Sequence, residues 1–151
     1  MTENEVVIPA DMEMCATHVD DAETIQGRRT FFVYRDFGVE HASKGLMRVQ
    51  TITAKAAMDK ATGWHYHACG AQLIYVISGW VELSFEDGKT RRMSGGDVFF
   101  LPGGYVHNEL TASEDYSALE VVVPGAVEAP GEMNTTACEA PASFMAEASV
   151  S

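Results

Sequence analysis

Between Thr30 and Val123 the chain breaks into short runs rich in Val, Ile, Phe, Tyr and Thr, each closed by a turn signal. β-Branched and aromatic side chains suit the half-buried, pleated surface of a strand, whereas Gly, Pro and Asp supply the backbone angles of tight turns. The expected strands are Thr30–Arg35, Leu46–Ala54, Gln72–Ile77, Trp80–Phe85, Lys89–Met93, Asp97–Leu101, Val106–Leu110 and Ser117–Val123. Ser78-Gly79, Asp87-Gly88, Gly95-Gly96 and Pro102-Gly103-Gly104 punctuate them. Strands recurring about every 8–12 residues predict an all-β fold, an antiparallel sandwich or barrel. Lys55–Ala61 reads as a helical turn too short to change that class.

A chain of 151 residues suits one domain. Its net charge of −12 is unevenly spread. Residues 1–27 hold seven acids and no Lys or Arg, and residues 125–151 hold four acids and no base. The expected organisation is an acidic N-terminal arm (1–27), a near-neutral β-barrel (28–124) and an Ala, Glu, Pro and Ser-rich tail (125–151). Val6, Val7 and Ile8 are candidates for an added edge strand, and Phe144 and Met145 for a short docked helix. An acidic chain with no basic stripe speaks against nucleic acid and anionic membrane as partners. No apolar run approaches the roughly 20 residues of a membrane span. The acidic N-terminus lacks the pattern of a secretory signal, so a cytoplasmic location is expected. Cys15, Cys69 and Cys138 are too few and too irregular for a disulfide framework and form no CxxC pair.

One strand bears on assembly. Leu73, Tyr75 and Ile77 share one face of Gln72–Ile77, and Ile74 and Val76 share the other with Gln72. A solvated strand would alternate apolar and polar residues. The outer face is therefore expected to be covered, by an arm of the chain or by a second subunit, and a homodimer is expected.

Chemistry concentrates in two segments. In GWHYHACGAQLIYVISG (63–79), His65 and His67 are two apart and point to the same face of a strand. Two imidazoles so placed can share one ion. The odd step from His67 to Gln72 would reverse the face, but Ala68-Cys69-Gly70-Ala71 can form a turn or bulge that resets it. In GDVFFLPGGYVH (96–107), His107 follows the Pro-Gly-Gly turn.

These segments resemble the two conserved motifs of the cupin superfamily. His65, His67, Gln72 and Gly79 stand at the positions of the first motif, and Gly96, Pro102, Gly104 and His107 at those of the second. The 16 residues between them (80–95) are typical of compact cupins. The resemblance implies an antiparallel double-stranded β-helix, or jelly-roll barrel. It also implies one divalent metal ion held by His65, His67, Gln72 and His107. The sequence departs from the commonest pattern in having Gln72 where Glu is usual and Thr111 where Asn is frequent. An amide oxygen can ligate but is neutral and takes no proton near neutral pH. Three imidazoles and an amide would leave the ion doubly positive, a strong Lewis acid. Cupins that open unsaturated uronate sugars are similar in having three His and one Gln. A nitrogen-rich shell suits Zn, Ni, Fe, Mn or Cu.

Glu109 and Glu120 are the candidate catalytic carboxylates. Glu109, two residues after His107, faces the same cavity on a regular strand, and solvent if a bulge intervenes. Glu120, within LEVVV, is either an inward carboxylate or an exposed position. Trp64 and Tyr66 have packing parity, Tyr105 is placed for the pocket mouth, and Met47 and Val49 for the cavity wall. Cys69 reads as a bystander, and His18 and His41 as surface residues. The expected function is Lewis-acid chemistry of isomerase or lyase type on a small oxygenated metabolite. A metal-dependent dioxygenase and a non-catalytic binder of a sugar or organic acid are the alternatives.

Overall fold

The computed structural model describes residues 7–25, 29–124 and 135–144. Eleven strands follow one another there: β1 (Glu23–Ile25), β2 (Phe32–Asp36), β3 (Arg48–Ala54), β4 (His65–His67), β5 (Ala71–Ser78), β6 (Trp80–Phe85), β7 (Thr90–Ser94), β8 (Val98–Pro102), β9 (His107–Ala112), β10 (Ser117–Val123) and β11 (Thr135–Ala137). They form two sheets in the orders β1-β2-β3-β10-β5-β8 and β11-β4-β9-β6-β7. Every pairing is antiparallel. This is the expected β-barrel of jelly-roll type.

The inner faces meet in a core of Ile74, Val76, Val81, Leu83, Phe85, Leu101, Tyr116 and Ala118, with Met58 and Ala112. Strand β5 shows how the sequence sets this up. Gln72, Ile74 and Val76 are buried, while Leu73, Tyr75 and Ile77 between them are exposed. A period of two sends alternate side chains to opposite faces. Strands β6 and β10 have the bounds read from sequence, and the other expected strands are displaced by one or two residues at their ends.

Two expectations need correction, and two elements were not predicted. Lys55–Ala61 forms no helical turn, because Met58 is buried and bridges Ala112 in extended conformation. Its N–H donates to the Ala112 carbonyl at 3.0 Å. Val7 and Ile8 are exposed and outside any strand, and Val6 lies outside the described residues. The strand of the N-terminal segment is instead β1, whose Thr24 pairs Arg35 on β2. The C-terminal segment also supplies a strand, β11, that sequence did not predict. A short helix that sequence did not predict, α1 (Val39–Ala42), precedes β3. Residues 142–144 do form a helical turn, and Phe144 packs on Trp64 with ring centroids 4.8 Å apart. Met145 lies outside the described residues.

Two turns bring the motif segments together. A β-carbon at Gly103 would run into the Cys69 carbonyl oxygen, so only glycine permits the contact. Across it the Gly103 N–H donates to Gly70 O at 2.9 Å and the Gly104 N–H to His67 O at 3.0 Å. The loop before His107 is thereby fastened to the loop after His67.

Candidate metal centre

His65 and His67 project from β4 on the same side, and both are buried. His107 opens β9 directly opposite His65. The three rings stand with centroids 4.4–5.1 Å apart, and one ligand atom from each lies within 4.8 Å of the others. Their orientations are fixed from behind. His65 Nδ1 is 2.7 Å from Gly63 O, His107 Nδ1 is 3.0 Å from Tyr105 O, and His67 Nδ1 is 3.0 Å from Thr135 Oγ1 of β11. Such outer hydrogen bonds select the tautomer and hold the ring of a ligating histidine.

Gln72 begins the buried face of β5, and the Cys69-Gly70 turn provides the change of parity that spacing required. Its Nε2 donates to Glu120 Oε1, while its Oε1 is buried with no hydrogen-bond partner among the described residues. A buried amide oxygen left unpaired costs roughly 1–3 kcal/mol, and a cation beside it removes that cost. Three imidazoles and an orphaned amide oxygen fit a divalent metal of the zinc, nickel, iron, manganese or copper class.

Both candidate carboxylates face this centre. Glu120 is buried on β10, and its Oε2 also accepts from Gln50 Nε2 at 2.8 Å. Burial pushes its carboxyl up to about 7, against the opposing pull of the two amides. Glu109 Oε2 is 3.3 Å from His65 Nε2, and its Oε1 is 3.7 Å from His107 Nε2. Burial alone would raise the Glu109 carboxyl, but His107, His65 and the Thr62 hydroxyl outweigh it and hold it at about 2. Gln72, His107, Glu109 and Glu120 line an inner cavity of about 40 Å³ with Ile52, Ile74, Val81, Leu83, Phe99, Leu101 and Tyr116. A neighbouring pocket of about 320 Å³ shares Phe99 and Leu101 with it and adds Phe85, Asp87, Arg91 and Tyr105.

The cavity wall at β3 differs from expectation. Val49 pairs Val121 on the face opposite Glu120, so Met47 and Val49 do not line the cavity; Arg48 and Gln50 point inward instead. The alternation in LMRVQTITA was read with its apolar residues inside. At this end of the barrel the inner face is polar, because a buried carboxylate needs donors. Arg48 is buried and donates to Glu40 Oε2 at 2.9 Å, and Gln50 reaches Glu120. Sequence also missed Thr62, whose hydroxyl donates to Glu109 Oε2 at 2.6 Å, and Asn108, whose Oδ1 accepts the Gly63 N–H at 3.0 Å. An inward polar pair with i, i+2 spacing, Arg48 and Gln50, was the available signal.

The remaining residues fall into place. Trp64 and Tyr66 are half-buried away from the histidines, and His18 and His41 are exposed. Cys69 is a free thiol in the turn, its proton held by burial and then by Glu120, and it is not one of the converging donors. Among the described residues no helix is long and apolar enough to cross a membrane.

A family model described as Cupin domain matches residues 55–130. No curated protein matches the chain. Solved structures do match. KdgF from Halomonas sp. superposes with a TM-score of 0.59 at 19% identity, over 73% of this chain and 94% of that one. The polyketide cyclase RemF from Streptomyces resistomycificus gives 0.59 at 19% identity, over 78% and 90%. Pac13, described as a nucleoside dehydratase, gives 0.58 at 11% identity, over 85% and 94%. At these identities the likeness shows the fold.

Proposed function

This chain belongs to the cupin domain family, and from that premise we propose that it is a metal-dependent enzyme of isomerase or lyase type acting on a small oxygenated metabolite. The observation that carries the reading is the convergence of His65, His67 and His107, with Gln72 lining the same cavity as His107. When bound, a divalent ion supplies Lewis acidity towards a carbonyl, carboxylate or hydroxyl oxygen. The chain's own residues do the rest. Phe99 and Leu101 line both the inner cavity and the larger pocket and offer apolar contact to the body of a metabolite. Glu120, whose carboxyl burial pushes up to about 7, would accept and return a proton, and Glu109 stands against the His65 and His107 rings as the second carboxylate of the site. The fold is shared with proteins described as a nucleoside dehydratase, a polyketide cyclase and a DMSP lyase. These descriptions support elimination and ring chemistry as within reach of such a barrel, without transferring any substrate.

The test is elemental analysis of the protein purified without added metal, joined to a thermal-shift screen of sugar acids and organic acids. The expected result is one divalent ion per chain and turnover of a stabilising compound without consumption of dioxygen. Dioxygen uptake would replace this reading with the dioxygenase one. Binding without turnover would replace it with a carrier or sensor.

A further inference from the structure

We propose that Glu109 is itself a ligand of the ion, so that the carboxylate of this centre comes from β9 and not from β5. The inference rests on the metal reading above. His65 Nδ1 faces Gly63 O, and His107 Nδ1 faces Tyr105 O. A carbonyl oxygen only accepts, so each Nδ1 carries the ring hydrogen and each neutral ring presents a lone pair at Nε2. The carboxylate oxygens of Glu109 point at those same atoms, Oε2 at 3.3 Å from His65 Nε2 and Oε1 at 3.7 Å from His107 Nε2. A ring lone pair and a carboxylate facing each other at such distances repel unless positive charge lies between them, a proton on Nε2 in the empty site or the metal ion in the loaded one. Two donors each about 2.0–2.2 Å from one ion stand roughly 2.8–3.6 Å apart when adjacent in its shell. The first separation falls inside that range and the second just beyond it.

The surroundings of Glu109 point the same way. Ligating groups are held by outer hydrogen bonds. Thr62 Oγ1 donates to Glu109 Oε2 at 2.6 Å and accepts the Glu109 N–H at 3.1 Å, clasping the residue at both ends. Each of the four other donors is tied at its second polar atom in the same manner: His65 by Gly63, His107 by Tyr105, His67 by Thr135 and Gln72 by Glu120. Glu109 thus completes a set of five oriented donors. Its charge offsets the neutrality of Gln72, and a six-coordinate ion would keep a single position for the metabolite. Glu120 is then the carboxylate left off the ion.

Cobalt(II) titrated into chelator-treated protein tests this, with the visible absorption of the bound ion as the readout. Glu109→Ala should change the cobalt spectrum, and millimolar formate should return it towards that of the unaltered protein by filling the vacated position. Glu109→Gln, which keeps the shape, should bind cobalt at least tenfold more weakly. The exposed Glu114→Gln should match the unaltered protein. If Glu109→Ala gives the unaltered spectrum and formate does nothing, Glu109 is no ligand, while the metal reading stands. If the unaltered protein itself takes up no cobalt, both readings fall.

Discussion

A glutamine is only as good a ligand as its rotamer, because the two ends of its amide are opposite in character. Glu120 orients it here: its carboxylate accepts the amide N–H of Gln72, which turns Gln72 Oε1 away as the atom open to the proposed ion. The pair also accounts for the absence of a glutamate at position 72. A second carboxylate there would face Glu120 in a buried setting, and two like charges so placed cannot both ionise cheaply. Gln72→Glu should therefore destabilise the metal-free protein by about 1–3 kcal/mol, and adding Glu120→Gln should recover most of that loss. Urea unfolding of the four proteins of this cycle measures the coupling, and additive losses would contradict it. At this scale His65 and His67 were legible from their spacing, which puts them on one face, and His107 from the resemblance to the second cupin motif. The inward turn of Arg48 and Gln50 left only their i, i+2 spacing as a signal, and it was passed over because hydrophobic alternation assumes an apolar interior, whereas Glu120 makes this part of it polar.

Elements position these side chains through a few close contacts. Gly103 sits so near the Cys69 carbonyl that no β-carbon fits. Gly103→Ala should push the two motif loops apart, costing about 1–3 kcal/mol of stability and weakening metal binding with it. Leu83→Ala, in the core on β6 and 1% exposed, should cost about 2–5 kcal/mol. Its effect on metal affinity, once the fraction folded is allowed for, should be small by comparison. Denaturant melts combined with metal titration separate the two cases. Strands between glycine turns were readable because pattern and turn chemistry agreed, as at Trp80–Phe85 and Ser117–Val123. Strands β1 and β11 were not, since each has only three residues, and β11 exists through pairing with β4, a partner distant in sequence.

For the molecule as a whole, the outer face of β5 and β8 stands out. Leu73, Tyr75, Ile77, Val98 and Phe100 are 38–58% exposed there. Paired strands place Leu73 beside Phe100 and Tyr75 beside Val98, so the exposure is contiguous. Monomeric proteins seldom leave such a patch open to water. We propose that a second copy of the chain covers it, making the protein a homodimer. Ile77→Lys should shift the light-scattering mass from dimer to monomer, and an unaltered monomeric mass in the parent protein would refute the proposal. The proposed ion would also act on the whole fold. Stripping the ion should lower stability by about 2.7 kcal/mol if free metal stood at a hundred times its dissociation constant, read as a drop in melting temperature that added metal reverses.

The pairing of β11 with β4 has a consequence of its own. Thr135 lies opposite His67 and Ala137 opposite His65, and the Thr135 hydroxyl touches the His67 ring. Part of the cage wall is thus built by residues some seventy positions downstream of the ones they steady. Deleting 135–151 should leave the core standing yet loosen its hold on the cation, roughly 10–100-fold by the usual worth of such outer support. Trimming what reads as a dispensable tail would blunt the site without unfolding the barrel.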